Sequence, residues 1–236
     1  DSATIKPGLR GKFKTISGLG KGVYQSWRIL VKNKPDVVVG FGGYPSFPPL
    51  FVAQLEKTPT VLHEANAVLG KANKMLAAGA AKIALSLPTT KGVTDHPKFK
   101  LKAVVTGNPV RSSIVEKEKA PYPALNENAP IYIFIMGGSQ GARIFSDIIP
   151  AAIEKLPEHL KKRLIITQQC REEDLARTQK AYDDMNITCD LKSFFNDVPD
   201  QLEKSHLFIG RSGASTVSDV AVIGRPAIFV PLEHAD

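Results

Sequence analysis

Several things are scarce in this sequence, and each shortage removes a class of protein. Two cysteines, Cys170 and Cys189, in 236 residues are too few for a disulfide framework, and neither has a neighbour at metal-ligand spacing. Both read as buried thiols in a reducing compartment. No run of about 18 uncharged apolar residues occurs, and the opening DSATIKPGLRGK is not a secretory signal. No part of the text is therefore expected to cross a bilayer. There is no G-x-x-x-x-G-K-[ST], and no G-x-G-x-x-G follows a leading strand, which argues against P-loop nucleotidases and dinucleotide binders. HEAN, His63 to Asn66, is not a zinc-protease helix, because the position four after His63 is Ala67. Nor is there an Asp-x-Asp pair to hold a divalent metal on a nucleotide diphosphate. Any diphosphate bound here would rest on helix N-termini and arginines, and no metal or cofactor is expected.

What is present is ordinary in bulk and uneven in charge. With 43% hydrophobic and 23% charged residues, the chain reads as globular and long enough for one large or two ordinary domains. Residues 1–34 hold eight Lys/Arg against Asp1 alone, while the rest of the net +8 chain is nearly balanced. A localised basic segment suits an anionic surface, lipid or nucleic acid, and composition does not choose between them.

Along the chain, VYQSWRILVKNK places Val23, Tyr24, Trp27, Leu30 and Val31 at helical spacing before Pro35 stops it. Strand-like runs then alternate with helical ones: DVVVGF, a helix led by Pro48-Pro49, TVLHE, GKANKMLAAGA, KIALS and KAVVTG. Residues 112–129 change to a proline-containing, mixed-charge text that reads as a linker. Alternation restarts with IYIFIM and runs through RLIITQQ, EEDLARTQKAYDDM, ITCDL, HLFIG and PAIFVPL. The expected fold class is α/β, with two doubly wound parallel-sheet domains at 1–111 and 130–236. Such folds bind ligands at the carboxyl ends of their strands, so a cleft between the two is the expected site.

Five turns sit where that rule points: GFGGYPSFP (40–48), HEAN (63–66), GNPVR (107–111), GGSQGAR (137–143) and GRSGAST (210–216). GGSQG satisfies the G-x-S-x-G of a hydrolase elbow, yet a glycine turn leading into a helix is also an anion cradle. GRSGAST repeats the construction, with Ser212 expected to cap a helix starting near Gly213 and Arg211 adding a charge beside it. A hydrolase needs no second anion turn, so Ser139 is expected to face a diphosphate rather than act as a nucleophile. His63 and Glu64 leave two readings open, a structural pair or acid/base groups at a strand's end.

With these residues in hand, the chain closely resembles the MurG family, the N-acetylglucosaminyltransferases of peptidoglycan synthesis that make lipid II. The matching text is PDVVVGFGGYPSFPP, PTVLHEANAVLGKANK, VVTGNPVR, GGSQGAR and GRSGASTVSDVAVIGRPAIFVPLEHAD, in family order. The resemblance implies a GT-B fold of two Rossmann-like domains facing a cleft. It also implies inverting transfer of GlcNAc from UDP-GlcNAc to the C4 hydroxyl of MurNAc in undecaprenyl-diphospho-MurNAc-pentapeptide, lipid I. Donor contacts would be Arg111, Ser139, Gln140, Gly141, Arg211, Ser212, Gly213, Ala214, Ser215 and Thr216. Phe194 and Phe195 would hold the uracil. Asp219 falls where the family usually has a ribose-binding glutamate. Tyr44, His63, Glu64, Asn66 and Asn73 match acceptor-side motifs, with His63 and Glu64 as catalytic candidates. The family's G-G-T-G-G-H loop, carrying a further candidate base, is expected before residue 1, and the glutamines that read the sugar after Asp236.

Implied partners are UDP-GlcNAc, lipid I, the anionic cytoplasmic face of the bacterial inner membrane, and cell-wall synthesis and division proteins, with no nucleic acid. At the membrane, Trp27 would enter the interface while Lys21, Arg28, Lys32 and Lys34 meet headgroups. The alternative is that the apolar stripe packs on the sheet and only the charges touch lipid. Two other functions are weighed. A serine hydrolase would pair Ser139 with His206 or His234, leaving the other turns unexplained. A nucleotide-sugar-binding fragment without turnover would bind UDP and lack selectivity among sugars.

Overall fold

Strand–helix alternation becomes two separate parallel sheets in the computed structural model, which describes residues 9–138 and 143–232. The first unit runs to Asn108 and the second begins at Pro109.

In the first unit, α1 (Leu9–Asn33) is followed by β1 (Val38–Gly40), α2 (Phe47–Leu55), β2 (Thr60–Glu64) and α3 (Lys71–Leu76). β3 (Lys82–Leu85), α4 (Pro97–Lys100) and β4 (Ala103–Val105) complete it. The strands pair in chain order, all parallel, because each connection is a crossover rather than a hairpin. Leu50, Leu62, Leu76, Ile83 and Leu85 are almost wholly buried in its core. Each such side chain contributes about 1.5–3 kcal/mol on leaving water.

The basic helix α1 lies on α2 through its small residues. Ser26 is buried with its hydroxyl donating to the Gly22 carbonyl at 2.7 Å. The apolar stripe divides between two faces: Val23 and Leu30 are half-buried, whereas Tyr24, Trp27 and Val31 are exposed. Tyr24 and Trp27 stack with ring centroids 6.3 Å apart. No helix among the described residues is long and apolar enough to cross a membrane.

The second unit contains α5 (Ser112–Val115), β5 (Ile131–Met136), α6 (Arg143–Glu154), α7 (Glu158–Lys161), β6 (Leu164–Gln169) and α8 (Leu175–Asp183). β7 (Thr188–Lys192), α9 (Val198–Lys204), β8 (Leu207–Arg211), α10 (Ala214–Ile223) and β9 (Ala227–Val230) follow. The sheet order is β7-β6-β5-β8-β9, again all parallel. The chain starts in the middle at β5, builds outward to β7, then returns to lay β8 and β9 on the other side. This reversal between β5 and β8 is a topological switch point, where open α/β sheets hold ligands. Successive residues of β5 serve opposite faces. Ile135 joins Phe145, Ile149 and Tyr182 in one core, while Phe134 joins Ile114, Val198, Phe208 and Val220 in the other.

Residues 112–129, read from the sequence as a linker, are packed onto this second unit. Ile114 is fully buried. Lys117 pairs with Asp200 at 2.7 Å and with Glu203, and the Tyr122 hydroxyl donates to the His206 carbonyl at 3.0 Å. The Arg225 guanidinium reaches the Pro121 carbonyl at 3.0 Å, and Arg163 holds the Asn126 and Ala129 carbonyls at 2.7 and 2.9 Å.

Candidate functional site

The carboxyl edge of the first sheet collects the polar motifs of that half. β1 is followed by Gly42 and Gly43, both with left-handed φ (80° and 74°), a conformation that glycine adopts without steric cost. They turn the chain into Tyr44, which is exposed. A Cβ on Gly42 would sit 3.5 Å from the Asn73 amide nitrogen and 3.9 Å from the His63 carbonyl oxygen, so this turn borders the end of β2.

His63 is buried there. Its Nε2 lies 3.2 Å from the Gly107 carbonyl and 3.4 Å from the Ser86 hydroxyl, and its ring is 5.3 Å from that of Phe41. A carbonyl only accepts, so Nε2 is the donor in this contact. Glu64, 2% exposed, is different. One carboxylate oxygen accepts from the Asn66 backbone N–H and side-chain amide at 3.1 and 2.9 Å. The other accepts from the Gly70 N–H and the Asn73 amide, both at 2.9 Å. With four donors on it, this carboxylate organises the 65–70 loop. That arrangement supports the structural one of the two readings left open for Glu64. Asn66 and Asn73, read as acceptor contacts, are brought together on Glu64, and Asn73 also donates to the His63 carbonyl at 3.1 Å.

In the second unit the register decides the layout. Met136 lies opposite Gly210 in the β5–β8 ladder, so the chain leaves both strands into glycine turns side by side. Gly210 permits that approach, since a Cβ there would stand 2.4 Å from the Phe208 ring and 2.9 Å from the Met136 carbonyl. Ser139, Gln140 and Gly141 of the first turn lie outside the described residues, as does His234. In the second turn, Gly213 rather than Ser212 is the N-cap of α10, and no side chain caps it. Ser212 and Ser215 are exposed, with Ala214 and Thr216 partly so. Among the described residues, no side chain caps the first-turn N–H groups of α10, and a helix start carries roughly half a positive charge.

Arg211 is partly engaged. Its Nη1 donates to the Val230 and Pro231 carbonyls at 3.3 and 2.8 Å, and its guanidinium lies 5.5 Å from the centroid of Phe145 on α6. It thus spans the ends of β8 and β9 and the first turn of α6. Arg111 and Asp219 pair with each other at 2.9 Å, the arginine side chain 61% exposed and the carboxylate 11%. The two phenylalanines after β7 separate. Phe194 is 63% exposed, whereas Phe195 is buried at 5% with its ring edge-on to Phe134. Phe195 packs in the core, and Phe194 is the exposed member of the pair expected to hold the base.

His206, one of the two histidines a hydrolase would use, lies at the opposite end of β5 from Gly138. His206 is buried before β8, its Nδ1 accepting from the Tyr132 N–H at 3.0 Å. Gly138 follows the other end of β5, roughly 20 Å away at 3.3 Å per residue. Cys170 is buried and Cys189 half-buried, and burial pushes the Cys189 thiol up. Among the described residues no three His, Cys, Asp or Glu converge as a metal site. Sequence reasoning missed Gln169, 4% exposed at the end of β6, which bonds both to Gly137 and to Ser193. Its signal was a polar pair, Gln168-Gln169, closing an otherwise apolar strand.

Residues 132–236 match the glycosyltransferase family 28 C-terminal domain, and residues 4–85 its N-terminal domain. Curated relatives named UDP-N-acetylglucosamine–N-acetylmuramyl-(pentapeptide) pyrophosphoryl-undecaprenol N-acetylglucosamine transferase are similar over most of the chain. That of Rhodopseudomonas palustris is 47% identical, covering 92% of this chain and 59% of the relative. That of Rhodospirillum centenum is 44% identical, covering 99% and 61%. The chain thus spans about three-fifths of the length of these relatives. Among solved structures, Acinetobacter baumannii MurG is similar at 32% identity and a TM-score of 0.70, covering 92% of this chain and 59% of that one. A Neisseria meningitidis UDP-GlcNAc 2-epimerase, 16% identical with a TM-score of 0.60, shares the fold.

Proposed function

Because the chain belongs to glycosyltransferase family 28, we propose that it forms the donor and acceptor sites of an inverting N-acetylglucosaminyltransferase of peptidoglycan synthesis. The reaction moves GlcNAc from UDP-GlcNAc to the C4 hydroxyl of MurNAc in lipid I. The observation that carries this reading is the register of β5 against β8, which sets two glycine turns side by side at the switch point. The amides at the start of α10, with Arg211, face the diphosphate, joined by Ser139, Gln140 and Gly141 of the neighbouring turn. Phe194 stacks on the uracil, and Asp219 meets the ribose hydroxyls through the carboxylate oxygen that Arg111 leaves open. In the other half, His63 is the acid/base candidate, and Glu64 holds the loop around it. Displacement at the α-linked anomeric carbon by the C4 hydroxyl in one step gives the β1→4 product.

The acceptor is a lipid, and α1 offers a matching surface. Tyr24, Trp27 and Val31 are exposed beside Lys21, Arg28 and Lys32, which supports apposition to anionic headgroups. The test joins calorimetry with UDP and UDP-GlcNAc to a transfer assay on a lipid I analogue. UDP binding together with GlcNAc transfer is expected. UDP binding without transfer assigns the chain donor binding alone, and covalent labelling of Ser139 by a fluorophosphonate would replace the reading with a hydrolase.

A further inference from the structure

Gln169 closes β6, the strand between β5 and β7. Its side-chain oxygen accepts the Gly137 N–H at 3.1 Å, and its side-chain nitrogen donates to the Ser193 carbonyl at 3.2 Å. Gly137 is the first residue after β5 and opens the GGSQGAR turn. Ser193 is the first after β7 and immediately precedes Phe194. One buried amide therefore joins the starts of two loops that the donor reading gives to different ends of a nucleotide, the diphosphate and the base. The pairing needs this chemistry: a primary amide presents an acceptor and a donor on one planar group, whereas a carboxylate offers no donor and a thioether almost nothing. Reversing the amide would oppose donor to donor at Gly137 and acceptor to acceptor at Ser193.

We propose that Gln169 is a positioning residue that fixes the spacing between the diphosphate turn and the base-stacking loop, so that a nucleoside diphosphate meets both already in place. The inference rests on the donor-site reading above. Gln169 touches no ligand in this scheme; it lowers the cost of ordering two loops on binding. A residue that served only the fold would leave the two ends of the nucleotide energetically independent.

The test is calorimetry with UDP on the parent chain, Gln169→Met, Gln169→Glu and each combined with Phe194→Ala, beside thermal unfolding of every variant. Gln169→Met keeps the length and loses both bonds. Gln169→Glu keeps an acceptor for Gly137 and sets an oxygen against the Ser193 carbonyl. Both are expected to weaken UDP by about tenfold and to shrink the Phe194→Ala penalty to less than about half its parental value, the non-additivity of coupled groups. UDP affinities within about twofold of parent, or additive penalties, overturn the proposal while leaving the donor site intact. Failure of the parent itself to bind UDP removes the donor reading and this inference with it. Unfolding of both variants makes Gln169 a residue of the fold and overturns the positioning role.

Discussion

The carboxyl edges of the two sheets are built from similar material and finished in opposite ways. At the first, Glu64 and its donors from Asn66, Gly70 and Asn73 satisfy one another, and His63 is turned onto the Gly107 carbonyl. At the second, α10 begins without a side-chain cap, and Ser212, Ser215 and Phe194 are exposed. Polar residues at strand ends therefore do two different jobs. In the first unit they fix the backbone of a rim, while in the second they leave a helix start without a side-chain cap and an aromatic ring exposed. Burial separates the two: a carboxylate as enclosed as Glu64 must have its donors inside the protein, because water is not there to supply them.

The comparison breaks most visibly at Glu64. Glu64→Ala leaves the Asn73 amide, the Gly70 N–H and the Asn66 N–H without their acceptor, and is expected to destabilise the first unit by ~3–5 kcal/mol. Urea unfolding measures it, and a loss below ~1 kcal/mol would mean that the network is incidental. The adjacent phenylalanines sharpen the contrast at the second edge. Phe195→Ala opens a cavity beside Phe134 and should cost ~3–4 kcal/mol of stability. Phe194→Ala should change stability by less than ~0.5 kcal/mol while weakening UDP by ~1–2 kcal/mol through lost stacking on the base. Equal stability losses at the two positions would refute the division of roles.

The alternation of strands and helices was legible in the sequence because most strands are short apolar runs and most turns carry glycine or proline. Inside that frame, what could not be read is whatever depends on distant partners. FF after a strand says that one ring points in and one out, but the sheet's two faces are equally apolar in the text, so Phe195 inside and Phe194 outside is a fact of packing. Residues 112–129 look like a linker because they lack periodicity. Their anchors at Asp200, Glu203, His206 and Arg225 lie some 80–100 residues away. Arg111 lay in a glycine turn and Asp219 at a position marked only by the family resemblance, and their mutual ion pair across 108 residues was not legible. Glu64 left two readings open for a similar reason: its chemistry suits a base or a structural group alike, and only its neighbours show how its oxygens are engaged.

The smallest expected effect tests the open edge most directly, at Gly213. The serine before a helix is ordinarily its cap, worth ~1 kcal/mol, yet Ser212 makes no cap bond, and Gly213 occupies the N-cap with extended φ of −65° and ψ of 140°. That conformation suits any residue, and a Cβ on Gly213 would meet only the Thr216 hydroxyl, at 4.0 Å. Ser212→Ala should therefore leave the unfolding midpoint nearly unchanged. Gly213→Ser should raise stability by about a few tenths of a kcal/mol, because its hydroxyl can accept from an amide of the first turn. The same hydroxyl would compete with the diphosphate for that amide, so UDP affinity should fall as stability rises. Opposite signs in the two measurements are what an anion site at a helix start requires; a Gly213→Ser variant that gained stability and bound UDP as well as its parent would place the diphosphate elsewhere.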